Sequence, residues 1–182
     1  SREGSSPPSA ATPGTQEGST NAVVGDRAWF DLWPDDVPKS IRYPEISVAD
    51  LMHEAARRYP DRVAFRFFGT PLTYRECAAA MDRFAAGLHK AGVRPGDRVS
   101  AMLLSTPHAA IVLGGALQAG CVVVQTSPLL APRELERLYN DAGVETVVTM
   151  DLFWPTVAKV KPTTRVSRVI LCDMAEFMKT PM

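Results

Sequence analysis

Apolar positions fall at helical spacing over Val48, Leu51, Met52, Ala55, Ala56 and Tyr59, with Ser47 placed to cap the first turn and Pro60-Asp61 placed to end the helix. Val63 to Phe68 then reads as a strand and Gly69-Thr70-Pro71 as a turn, so residues 63–67 are expected to form a hairpin with residues 71–73. Thr73 and Glu76 have the spacing of a capping box, in which the hydroxyl accepts from the backbone NH three residues on and the carboxylate reaches back. The clearest helix follows, with Tyr74, Cys77, Ala78, Met81, Phe84, Ala85 and Leu88 on one stripe and Gly92 as its terminating residue.

From residue 98 strands and helices alternate. Arg98–Leu104, Cys121–Gln125, Glu145–Thr149 and Val166–Cys172 read as strands. Helices are expected from Pro107 to Ala119, from Pro132 to the residues before Gly143, and from Leu152 to Val160. Short apolar strands joined through helices imply right-handed βαβ units, so the expected fold class is α/β, a mostly parallel sheet with flanking helices. The stretch Val99–Pro132 carries no Asp, Glu, Lys or Arg. A membrane-spanning helix needs about 20 apolar residues in a row, and here Ser105-Thr106-Pro107-His108, Gly114-Gly115, Gln118 and Gly120 break the run. Strand, helix and strand buried in one core account for it better, because parallel strands covered on both faces read as continuous apolar runs.

Residues 1–22 contain no Val, Leu, Ile, Met or aromatic residue and are rich in Ser, Pro, Gly and Thr. They cannot bury enough apolar surface to offset their ordering entropy and are expected to form a disordered tail, leaving 23–182 as the folded α/β part. Within it, residues 23–46 carry Trp29, Phe30, Trp33 and Tyr43 between prolines, the pattern of an irregular arm with aromatic anchors. Of the 182 residues 46% are apolar, and 20 basic side chains balance 20 acidic ones. That balance gives no electrostatic reason to expect nucleic acid as a partner. Cys77, Cys121 and Cys172 are an odd set inside apolar runs, with no zinc-type spacing, which fits a reducing cytoplasm. No basic segment followed by an apolar one opens the chain, so no signal peptide is expected.

The usual catalytic patterns are missing. Gly115 and Gly120 have the spacing of a phosphate loop, but Cys121 and Val122 follow where Lys and Ser or Thr would be needed, and the glycines close a helix instead of opening one. No G-x-G-x-x-G occurs, and His53, His89 and His108 lie on three different helices, so neither a dinucleotide site nor a metal site is expected. Ser105 and His108 could form a nucleophile–base pair, yet no G-x-S-x-G surrounds the serine. A capping serine beside a surface histidine is the plainer reading. Asp35 and Asp36 read as solvated. In an open parallel sheet ligands bind beyond the carboxyl ends of the strands. Ser105, Thr106, Gln125, Thr126 and Ser127 occupy those ends and are the crevice candidates, with capping and turn formation as the alternative role of each.

Three runs, taken together and in order, resemble the adenylate-forming (AMP-binding) superfamily. Leu72-Thr73-Tyr74-Arg75-Glu76-Cys77 resembles the motif L-T-Y-x-E-L, departing at Cys77. Pro95-Gly96-Asp97-Arg98-Val99 resembles the G-D-R-V before a core strand. Leu117-Gln118-Ala119-Gly120, continuing through Gln125-Thr126-Ser127-Pro128, resembles the second core motif. The likeness extends over roughly residues 27–180 and is strongest to medium- and long-chain fatty acyl-CoA synthetases, with Ser127 standing where asparagine is usual in that branch.

The resemblance implies a reaction: a carboxylic acid and ATP give an acyl-adenylate and pyrophosphate, magnesium accompanies the nucleotide, and coenzyme A then takes the acyl group as a thioester. It implies a fatty acid as substrate and admits peripheral membrane contact, although no basic amphipathic helix supports that. The family's phosphate loop, adenine-binding region, ribose-binding aspartate and C-terminal lysine domain all lie downstream of the region resembled, so no catalytic residue carries over and this chain alone is expected to be inactive. Two other readings stay open. One is part of an acyl-AMP ligase or carrier-protein adenylation domain. The other is a non-catalytic interaction module, whose incomplete sheet would favour self-association.

Overall fold

The computed structural model describes residues 28–178; the tail expected over 1–22 lies outside them. The chain divides into two compact units, Ser1–Pro44 and Glu45–Met182. In the first, a 3₁₀ turn spans Ala28–Leu32. Phe30 meets the edge of Trp33 at 5.8 Å, Lys39 Nζ stands 5.5 Å over the Phe30 ring, and Trp33 Nε1 donates to Val37 O at 3.1 Å.

The second unit begins with helix α1 (Val48–Arg58), the hairpin β1 (Val63–Phe67) and β2 (Thr70–Thr73), and helix α2 (Tyr74–Lys90). Both helices start in full capping boxes, Ser47 with Asp50 and Thr73 with Glu76. The hairpin turn is shorter than its composition suggests. Phe68 (φ 45°) and Gly69 (φ 80°) form the whole turn, and Thr70 and Pro71 already pair with Phe67 and Arg66. Pro71 is tolerated there because β2 is an edge strand.

The main sheet follows: β3 (Arg98–Met102), α3 (Pro107–Gln118), β4 (Val122–Gln125), α4 (Pro132–Ala142), β5 (Thr146–Met150), α5 (Trp154–Val160) and β6 (Arg168–Cys172). Its four strands are all parallel, in the order β4-β3-β5-β6. The expected fold class is therefore observed. The connection from β3 runs one way and that from β5 the other, so α2 and α3 cover one face and α4 and α5 the opposite face. Side-chain alternation sorts the residues accordingly. Val99 and Ala101 of β3 pack with Ala85 and Leu88 of α2 and Val112 and Ala116 of α3. Met102 packs with Leu135 and Tyr139 of α4 and Val157 of α5. A third cluster joins Cys77 and Met81 of α2 to Ile111 of α3, with Met52 of α1 against it.

Gly92 and Gly120 end α2 and α3 in the left-handed region, at φ 81° and 76°. In both, the NH of the following residue reaches back to the last turn, Val93 to Leu88 O at 3.0 Å and Cys121 to Ala116 O at 2.9 Å. Gly115 does not close its helix, contrary to the sequence reading. It lies inside α3, where a Cβ would stand 2.8 Å from Met81 O and 2.9 Å from Phe84 Cδ1 of α2. Its role is close approach of two helices. Among the described residues no helix is long and apolar enough to cross a membrane.

Candidate functional site

The strand order places a topological switch between β3 and β5, and the carboxyl ends of the strands are the natural place for a crevice. There the five sequence candidates separate into two groups. Gln125 closes β4 in register with Ala101, and Thr126 N donates to Ala101 O at 3.1 Å. Thr126 itself is only 5% exposed. Its hydroxyl lies 2.8 Å from Ser100 Oγ, which donates to the Tyr139 hydroxyl at 3.2 Å; that hydroxyl in turn donates to Met102 Sδ at 3.7 Å. This buried chain of hydroxyls pins the β4–α4 connection to β3 and α4. Burial pushes the Tyr139 phenol up, opposed by its hydrogen bonds to Ser100 and Thr126, so it stays neutral. Ser127 Oγ accepts from Leu129 N at 3.3 Å, a local turn bond.

The second group leads into α3 on the opposite face. Thr106, not Ser105, is the residue before the helix, and its side chain makes no capping bond. Its hydroxyl lies 3.4 Å from both Leu104 O and His108 Nδ1. His108 is not on the surface as the sequence reading has it: it is 5% exposed, because its ring packs edge-on to Phe177 at 4.6 Å and its Nε2 faces Glu176 Oε2 at 3.1 Å. The imidazole thus ties the 3₁₀ turn Met174–Phe177 beyond β6 to the start of α3. Ser105 is exposed and makes no bond to His108, so the two do not form a nucleophile–base pair. Ser105 and Thr106 line a cavity of about 350 Å³ with Phe65 and Phe67 of β1 and Pro107 and Ala110 of α3. No hydrogen bond among the described residues joins the two groups.

A larger groove, about 670 Å³, opens where α2, α3, β6 and the Met174–Phe177 turn meet. Its floor is apolar, with Phe84, Ile111, Val112 and Ile170, and Arg75 and Arg83 stand at its rim. Cys172 lines it as well; burial and, secondarily, Glu176 push its thiol up to about 11, so it is no thiolate nucleophile near neutrality. Among the described residues no group of three or more His, Cys, Asp or Glu could hold a metal ion. Asp35 and Asp36 are exposed. Of the five candidates Thr106 and Thr126 are buried, whereas Ser105, Gln125 and Ser127 are exposed. Sequence reasoning missed Ser100, Tyr139 and Glu176. For the first two a signal existed: a serine at an inward position of an apolar strand, and a stripe tyrosine whose hydroxyl needs a partner.

Residues 52–181 match the family model for "AMP-binding enzyme". The chain belongs to that family. It is 32% identical over 159 residues to the long-chain-fatty-acid–CoA ligase of Bacillus subtilis, covering 87% of this chain and 28% of that protein. To the long-chain-fatty-acid–CoA ligase of Salmonella typhimurium it is 37% identical over 158 residues, 85% of this chain and 28% of that protein. A crystal structure of a long-chain-fatty-acid-CoA ligase from Archaeoglobus fulgidus has the same fold, with a TM-score of 0.68 at 23% identity over 73% of this chain and 28% of that one. This AMP-binding family chain therefore spans little more than a quarter of the length of the relatives it matches.

Proposed function

We propose that this chain is the N-terminal portion of an AMP-forming fatty acid–CoA ligase. In that reaction a carboxylate oxygen attacks the α-phosphorus of ATP and expels pyrophosphate. The coenzyme A thiolate then attacks the acyl carbon and AMP leaves. The observation that carries the reading is the identity of 32% and 37%, over 159 and 158 residues, to two proteins named for that activity. ATP with magnesium and coenzyme A are the cofactors of this reading, and a fatty acid is its substrate. The buried hydroxyls of Thr126 and Ser100 are engaged with each other, and among the described residues no group of three or more His, Cys, Asp or Glu could hold a metal ion. What the chain contributes is a rigid layer on which a site is completed.

From this follows inactivity of the chain by itself. The three free cysteines favour a reducing compartment such as the cytoplasm. A substrate that partitions into bilayers would bring the ligase to a membrane surface without requiring a spanning helix. Nothing in the charge balance favours nucleic acid. The test has two arms. The purified 182-residue chain is expected to give no fatty-acid-dependent ATP–pyrophosphate exchange; robust exchange would overturn the inactivity. Replacing the matching first part of the Bacillus subtilis ligase with residues 45–178 is expected to keep acyl-CoA formation. A chimera that unfolds cooperatively on heating, yet forms neither adenylate nor thioester from any fatty acid, would overturn the assignment.

A further inference from the structure

His53, in the middle of α1, has both ring nitrogens committed. Nδ1 lies 2.9 Å from Ala49 O one turn back, and Nε2 lies 2.9 Å from Asp82 Oδ1 on α2. A carbonyl oxygen and an ionised carboxylate oxygen only accept hydrogen bonds, and a neutral imidazole has one N–H to give. Both contacts are satisfied together only when the ring carries two protons. The same carboxylate oxygen also accepts from Gln118 Nε2 of α3 at 2.7 Å. One oxygen atom therefore joins three helices, and the joint is complete only with His53 charged.

We propose that His53 is held as an imidazolium and acts as a pH-dependent clamp that fixes α1 to α2 and α3 and loosens α1 when the ring loses its proton. The clamp has leverage because the rest of α1 packs shallowly: Ala49 is its only fully buried residue, Met52 lies half-buried against the Cys77, Met81 and Ile111 cluster, and Val48 and Leu51 are exposed. The charged surroundings favour the protonated ring. On α1 Asp50 attracts it, while Arg57 shares its groove and is engaged by Glu54 at 3.2 Å. On α2 Asp82 faces it, with Arg83 beside that carboxylate, while Arg75 shares the groove but is engaged by Asp61 at 2.8 Å. Gln118 of α3 is uncharged, and the titratable group of that helix, His108, is at its opposite end. The bond to Ala49 O, then that to Asp82, holds the His53 pKa above its ordinary 6.5. Its contribution is complete below 6.5 and is lost as pH rises through the raised value. Asp82 is held below its ordinary value by Gln118 and then His53, so the clamp also opens in acid, as that carboxylate protonates. The device is independent of the acyl chemistry proposed above.

The test uses the whole 182-residue chain, labelled for NMR. Below the transition both His53 ring nitrogens are expected to carry protons. As pH rises past the ring's titration, the hydrogen-exchange protection of α1 amides, corrected for intrinsic exchange, should fall roughly two- to fivefold, the scale of a half-exposed ion pair. His53→Gln should remove that pH dependence and leave the α2 and α3 amides unchanged, whereas His89→Gln should retain it. Asp82→Asn should return the His53 titration toward the ordinary value. A neutral ring in one tautomer across pH 6 to 8, or an unmoved His53 titration in the Asp82→Asn variant, would overturn the clamp even if His53→Gln fails to fold.

Discussion

At Gly115 a missing side chain decides how closely two helices approach. Replacing it with alanine gains about 1 kcal/mol of helix propensity. The added Cβ, however, would stand 2.8 Å from Met81 O, a backbone atom fixed inside α2 that cannot swing aside as a side-chain end could. Overpacking of this kind costs about 1–3 kcal/mol, and a rigid neighbour puts it toward the upper end. Gly115→Ala is expected to lower stability by about 1–2 kcal/mol, read from urea unfolding with an unchanged slope. The glycine was visible in the sequence, but its meaning was not, since its partner lies more than thirty positions away. His108 gives the same lesson. Its polarity and its place early in a helix suggest a surface residue, and only the packing of Phe177 and Glu176 from the far end of the chain buries it.

The elements follow local rules closely, and two of them can be tested locally. The hairpin turn puts Phe68, 69% exposed, in a left-handed conformation that asparagine adopts more readily. That conformation costs a bulky residue about 1–2 kcal/mol, and the edge contact with Phe67 at 4.7 Å recovers only part of it at an exposed position. Phe68→Asn is expected to stabilise the chain by about 0.5–1 kcal/mol in denaturant unfolding. At the start of α2, bonds from the Thr73 backbone and then its hydroxyl hold the Glu76 carboxyl below its ordinary 4.5. A lowered carboxylate pKa stabilises the fold above 4.5, and the contribution is lost as pH falls through the depressed value. Glu76→Gln should therefore flatten the loss of stability on acidification below that point, measured by urea midpoints at successive pH values. An acid limb identical to the wild type would count against the capping role.

For the molecule as a whole, the decisive fact is that the β6 side of the sheet is less covered than its centre. β5 is buried between helical layers, whereas β6 is an edge strand beside an apolar groove of about 670 Å³. Exposed apolar surface of this kind marks association or further packing. The chain is expected to enhance the fluorescence of an apolar-surface dye such as anilinonaphthalene sulfonate while unfolding cooperatively; no enhancement would mean that the groove is closed in solution. How far the sequence reached depends on the range of the interactions involved. Caps, helix-ending glycines and the alternation of apolar strands with amphipathic helices are effects of neighbouring residues, so the α/β class, the parallel sheet and every main element were legible, with ends displaced by a residue or two. The three ordered runs also carried the family. Strand order, the sorting of Ser100, Thr126 and Tyr139 into one buried chain, the separation of Ser105 and Thr106 onto the other face, and the junction of His53, Asp82 and Gln118 required the tertiary structure. Each depends on which residues distant in sequence come within about 3 Å, the length of a hydrogen bond, and no local preference encodes that.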